Sequence, residues 1–258
     1  MTQISLLNVR NAYVAYSKRR FFSRAVTHFY ALNDVSLQVR PGQSVGLVGE
    51  SGSGKSTLGK VVAGLVPLTK GSLSLCDQNF HRDEFCHQPL HLRKEIQMIH
   101  QDFHGTLDPK MTIFRTIEEA LVLHFPRHER SWRKQRVEEL LEQVGLLPAM
   151  AFYYPRQLSG GQRQRVNIAR ALAVEPRLLI CDEVVSALDV SVQAQILNLL
   201  SSIRQQRSLA MLFISHDMAV VERMCEFICV LNAGKMVESG TTEEVCYHPR
   251  DSYTQQLI

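Results

Sequence analysis

Nine residues constrain this chain more than any others. Gly49-Glu50-Ser51-Gly52-Ser53-Gly54-Lys55-Ser56-Thr57 fits the pattern G-x-x-x-x-G-K-[ST] of a phosphate-binding loop. Each residue type has a chemical reason. The glycines let the backbone curl tightly, so that its N–H groups turn inward towards an anion. The Lys55 ammonium is placed to reach the outer phosphates, and the Ser56 hydroxyl is a hard oxygen ligand suited to Mg²⁺. Ser44-Val45-Gly46-Leu47-Val48 before the loop reads as a buried strand. Thr57 to Leu65 after it reads as a helix whose N-terminal dipole favours negative charge. A fold that accepts this pattern brings a buried strand, through a glycine-rich turn, to the start of a helix.

The rest of the chain is compatible with one such core. It has 258 residues, of which 45% are hydrophobic and 21% charged, enough apolar surface for a sizeable core and close to the globular average in charge. The net charge of +4 is too mild to argue for nucleic acid. No apolar run reaches the roughly 18 residues of a membrane span, and Met1-Thr2-Gln3-Ile4-Ser5 does not open a secretory signal, so a cytosolic location is expected. The six cysteines (Cys76, Cys86, Cys181, Cys225, Cys229, Cys246) form no C-x-x-C pair and read as free thiols. Cys225 and Cys229, four apart, could share a helix face, a spacing that ordinary packing explains better than metal does.

Along the chain, Ile4 to Tyr16 and Leu32 to Val39 have strand character. Between them lies a basic, aromatic insert, Ser17 to Arg24, which reads as a solvated hairpin tip; contact with lipid headgroups or a partner is the alternative. Arg40-Pro41-Gly42-Gln43 reads as a turn. Helical periodicity marks Thr116 to Leu123 and Val137 to Val144, with a stop at Gly145. Leu178–Cys181, Met211–Ser215 and Phe227–Leu231 are apolar, strand-like runs alternating with helices, which argues for an α/β core with a largely parallel sheet.

A second motif, Leu158-Ser159-Gly160-Gly161-Gln162, opens another helical run, and it resembles the signature sequence of ATP-binding cassette (ABC) proteins. The resemblance covers nearly the whole chain. It implies one ATP-binding domain over residues 1–258: a P-loop NTPase core, an antiparallel β subdomain near the N-terminus, and a helical subdomain inserted at about 102–165. It implies that the signature of one cassette closes over the nucleotide held by the loop of another, with ATP and Mg²⁺ between them. Arg177 to Glu183 is an apolar run ending in two acids; Asp182 matches the family's Mg²⁺-binding aspartate, and Glu183 its general base. Gln101 resembles the glutamine that senses Mg²⁺ and the γ-phosphate. His216 resembles the switch histidine, and Ser186-Ala187-Leu188-Asp189 the loop that communicates across a dimer. Tyr16 fits the adenine-stacking position, with Tyr13 the fallback. Val184-Val185 departs from the usual Pro-Thr, and His100 and Phe103 replace residues common beside Gln101.

Ser186 to Leu200, Gly105 to Thr112, and the tail His248 to Ile258 resemble the oligopeptide, dipeptide and nickel import branch. That resemblance implies an ATPase energising a bacterial importer of peptides, nickel or metal chelates, peripheral at the cytoplasmic face of the inner membrane. Its partners would be a second, non-identical ATPase subunit, two permeases and an extracytoplasmic binding protein. The histidines and cysteine at His81, Cys86, His87, His91, His100 and His104 match no compact ligand motif. The alternative function is a soluble cassette protein of DNA repair or translation, against which stands the lack of coiled-coil insertions or a second cassette.

Overall fold

A computed structural model describes residues 5–19, 26–100 and 105–258. In chain order these form β1 (Leu7–Arg19), β2 (Val26–Val39), β3 (Ser44–Val48), α1 (Lys55–Val62), β4 (Lys70–Leu75), β5 (Gln78–His81), α2 (Leu90–Arg93), β6 (Ile96–Ile99), α3 (Ile113–His124), α4 (Arg130–Gln143) and α5 (Gly160–Leu172). They continue with β7 (Leu178–Asp182), α6 (Val190–Arg207), β8 (Ala210–Ile214), α7 (Met218–Met224), β9 (Phe227–Asn232), β10 (Lys235–Thr241), α8 (Thr242–Tyr247) and α9 (Ser252–Leu257). The chain divides into two compact units, Met1–Gln88 with Ala210–Ile258, and Pro89–Leu209.

The first unit holds two sheets. One is antiparallel, in the order β2-β1-β4-β5. Its strand β2 begins at Val26, earlier than the apolar pattern from Leu32 suggests, because β1 extends beyond Tyr16 and pairs with it down to Arg19↔Val26. The other set runs β10-β9-β3-β8, with β3 parallel to both β8 and β9 and β10 antiparallel at the edge. All five residues of β3 and of β8 are buried, which is why these strands read as continuous apolar runs rather than alternating ones. The turn at 40–43 closes with Gln43 N–H donating to the Arg40 carbonyl. Helix α1 stops at Val62 rather than Leu65, since Gly64 takes the left-handed conformation (φ 71°) that ends helices.

In the second unit β6 and β7 pair in parallel. Three helices pack their apolar stripes together: Ile113, Ile117 and Leu121 of α3, Val137, Leu140 and Leu141 of α4, and Val166, Ile168, Ala169 and Leu172 of α5 are all buried. The i, i+4, i+8 spacing on α3 puts its three residues on one face. Thr112 caps α3 by accepting from Arg115 N–H, and Arg133 pairs with Glu118 at 3.1 Å across α3 and α4. Gly145 (φ 72°) and Leu146 return N–H bonds to the Glu142 and Leu141 carbonyls of α4, so the glycine does stop that helix.

The six cysteines are free thiols. Cys225 and Cys229 do not share a helix face. Helix α7 ends at Met224, Cys225 is already extended (φ −119°, ψ 147°), and Cys229 lies on β9. No described helix is long and apolar enough to cross a membrane.

Candidate functional site

In the first unit, the buried strand β3 delivers Gly49 to a tight loop that ends at α1. Gly49 has φ 147°, and a Cβ there would lie 2.1 Å from the Leu231 carbonyl oxygen, so only glycine fits beside β9. The loop folds on itself through Ser53 N–H to the Glu50 carbonyl, and the β9–β10 turn grips it through Gly234 N–H to the Ser53 carbonyl at 2.9 Å. Lys55 is 5% exposed, which for an ammonium demands partners. Its Nζ donates to the Gly49 and Glu50 carbonyls, both at 2.7 Å, and to Ser53 Oγ at 3.4 Å. The lysine therefore spans the loop. Ser51 and Gly52 are exposed, Gly54 and Thr57 half-buried, and Ser56 is half-buried in the first turn of α1.

Two further predicted residues belong to this unit. The β3–β8 register pairs Leu47 with Ile214, so Gly49 and His216 each lie two residues beyond that row, at the carboxyl ends of neighbouring parallel strands. His216 is exposed, after buried Ser215 and before exposed Asp217, which caps α7 by accepting from Ala219 N–H at 2.9 Å. Tyr16 on β1 pairs with Phe29 on β2. Two residues on, the Ala31 carbonyl oxygen lies 2.5 Å from the position of a Cβ on Gly54, so β2 runs past the loop. Tyr16 is 48% exposed, whereas Tyr13 is half-buried, edge-on to Tyr30 at 6.3 Å. Of the two rings, Tyr16 has the more open face.

The second unit holds the remaining parts except Gln101, which lies outside the described residues. Asp182 ends β7 and is 5% exposed. Glu183, next to it, has φ 48°, a left-handed conformation costly for a residue with a Cβ. The following loop holds it there. Ser186 donates to the Glu183 carbonyl from both N–H (3.2 Å) and Oγ (3.0 Å), and Gln164 Nε2 donates to the Val184 carbonyl at 2.8 Å. Gln164 is fully buried on α5, the helix that Leu158-Ser159-Gly160-Gly161-Gln162 opens. Sequence reading missed it; its signal was a glutamine on the apolar face of that helix.

The helix start has a second unforeseen feature. Ser159 Oγ accepts from Gln162 N–H at 3.3 Å, and Gln162 Oε1 accepts from Ser159 N–H at 2.9 Å. This is a capping box, legible in the sequence as Ser-x-x-Gln. Leu158 is buried, and Arg163 Nε donates to its carbonyl. A Cβ on Gly161 would lie 2.6 Å from Val192 Cγ1 of α6, so this glycine already serves packing within its own chain. Ser186, Ala187 and Asp189 are exposed, Leu188 is half-buried, and Val190 at the start of α6 is 81% exposed, an apolar side chain presented outward. Among the described residues, no group of three His, Cys, Asp or Glu side chains is placed to hold a metal ion.

Known proteins resemble this chain in sequence and fold. A family model described as ABC transporter matches residues 32–186. The oligopeptide transport ATP-binding protein OppF of Lactococcus lactis subsp. lactis (strain IL1403) is 42% identical over 254 residues, which cover 98% of this chain and 79% of that protein. The glutathione import ATP-binding protein GsiA of Pectobacterium atrosepticum is 43% identical over 254 residues, 98% of this chain but 40% of that protein. Among solved structures, a dimeric post-hydrolysis state of the ATP-binding cassette MJ0796 bound to ADP and Pi superposes with a TM-score of 0.78 at 28% identity, covering 92% of this chain and 98% of that one.

Proposed function

The chain belongs to the ABC transporter family of ATPases, and from that premise we propose that it is the ATP-hydrolysing subunit of a bacterial importer for peptides. Nickel and metal chelates are the other cargoes consistent with its branch. The observation that carries the importer reading is the similarity running along 98% of this chain to the OppF and GsiA ATP-binding proteins. It also favours a transporter over a soluble repair or translation factor.

The site residues take these roles in the proposal. The loop N–H groups and Lys55 bind the phosphates of ATP, and Tyr16 stacks on the adenine. Glu183 accepts the proton of the attacking water, and His216 donates a hydrogen bond to the γ-phosphate. The Ser56 hydroxyl, the Asp182 carboxylate and the Gln101 amide are hard oxygen donors, the chemistry that Mg²⁺ takes; the ion would offset charge on the phosphates. The Ser159-Gly160-Gly161 helix start reaches the nucleotide of a second cassette, with Ser186 to Asp189 along the shared boundary. The dimeric ADP-bound state of MJ0796 supports that pairing.

The assembly proposed has a second, non-identical ATPase subunit, two permeases and an extracytoplasmic binding protein, with this chain peripheral at the cytoplasmic face of the inner membrane. The test is reconstitution in proteoliposomes with the co-encoded subunits, followed by ATP-dependent uptake of labelled peptides, nickel and metal chelates. Peptide uptake that needs both ATP and this chain is the expected result. Uptake that is indifferent to this chain overturns the importer reading.

A further inference from the structure

The tail after β10 is tied to the phosphate loop by one side chain. Glu50 N–H, in the loop, donates to the Tyr253 hydroxyl at 2.8 Å. Tyr253 is itself held firmly. The Glu238 carboxylate on β10 accepts from Arg250 N–H at 2.8 Å and from Asp251 N–H at 3.1 Å. Asp251 then caps α9 by accepting from Tyr253 N–H at 2.8 Å, and Gln255 Nε2 bonds back to the Pro249 carbonyl. Thr254, next in the chain, is fully buried.

The Glu50 N–H and the Gly49 carbonyl are the two ends of one peptide group. Tyr253 holds the N–H end, and Lys55 Nζ holds the carbonyl end at 2.7 Å. A peptide group next to glycine turns over more easily than most, since no Cβ restricts the preceding dihedral. Turned over, it would withdraw the carbonyl from Lys55 and aim an N–H at the ammonium. The two bonds also polarise each other through the amide they share.

Resting on the reading of residues 49–57 as the ATP phosphate loop, we propose that Tyr253 is a positioning residue: its hydroxyl fixes the Gly49–Glu50 peptide group and thereby sets Lys55 for the phosphates. Its effect is on the phosphate end of the nucleotide, because its hydroxyl bonds the loop assigned to the phosphates.

Tyr253→Phe removes only the hydroxyl and keeps the ring that packs. Titration calorimetry of the full chain with ATP, ADP and adenosine at constant Mg²⁺ reads the outcome, beside melting without nucleotide. Loss of one hydrogen bond at this position weakens ATP and ADP binding about three- to tenfold. Adenosine affinity stays at its wild-type value, and the nucleotide-free melting temperature falls by no more than about 5 °C, the loss of one exposed hydrogen bond. Unchanged ATP affinity in Tyr253→Phe overturns the proposal, and so does an equal loss for adenosine or a melting temperature lowered by much more than that, either of which marks the tail as general packing. A wild-type chain that binds no ATP would instead remove the phosphate-loop reading itself.

Discussion

Glu183 shows what a single residue is made to tolerate in this chain. Its left-handed backbone costs on the order of 1 kcal/mol or more, and three hydrogen bonds around the Glu183 and Val184 carbonyls hold it. Glu183→Gln keeps the shape and the backbone demand but removes the proposed base. Phosphate release should fall by about 10²- to 10⁴-fold while ATP affinity is retained, and ATP should accumulate in a paired form visible by size exclusion. Lys55→Ala has the opposite signature. It removes a buried charge and leaves the Gly49 and Glu50 carbonyls without their ammonium donor. ATP affinity by calorimetry should drop by roughly tenfold or more, because charge-assisted bonds to phosphate are the strong kind.

At the scale of elements, the helix α5 binds two functions into one piece of structure. Its first turn carries the signature, and one turn later Gln164 grips the loop beyond Glu183. Gly161 is the test case, because the Val192 contact offers a reason for glycine that involves no second chain. Gly161→Ala alone should lower the melting temperature. Adding Val192→Ala should restore it, since the obstructing methyl is gone, yet nucleotide trapping in a partner cassette should stay impaired. Recovery of trapping along with stability would assign Gly161 to packing alone. The core strands were legible in the sequence because burial leaves largely apolar runs at β3, β7, β8 and the middle of β9. The strand–loop–helix turn at Gly49 to Thr57 was legible because the spacing of its glycines is dictated by the tight turn. The bonds that hold the site were not. Gln164 to Val184, Tyr253 to Glu50 and Gly234 to Ser53 join residues 20, 203 and 181 positions apart, and no local pattern encodes them. The Cys225–Cys229 spacing misled for a related reason: a period of four implies a helix face only while the helix continues, and α7 stops at Met224.

At the scale of the whole molecule, burial divides the thiols into two classes. Cys181, Cys225 and Cys229 are buried, while Cys76, Cys86 and Cys246 are half-buried. Burial, with neighbouring Cys225, pushes the Cys229 thiol up to about 12, so it carries no thiolate near neutrality. Iodoacetamide at pH 8 followed by mass spectrometry should modify Cys76, Cys86 and Cys246 in the native chain and all six after denaturation. Early labelling of Cys229 would mean that β9, the strand against which Gly49 is packed, opens readily. The capping box at Ser159 has a consequence for how two such chains can meet. A hydroxyl owns one proton and two lone pairs. Here a lone pair is committed to the Gln162 N–H inside the chain, and the proton is left to point elsewhere. In the proposed pairing of cassettes, one oxygen atom would face two molecules at once, receiving from its own helix and offering to a neighbour's anion. Ser159→Asp would keep the inward half of that arrangement and reverse the outward half. The helix should remain as stable as before, while nucleotide trapping in a partner cassette should fail, because the proposed contact would meet a negative charge in place of a donor.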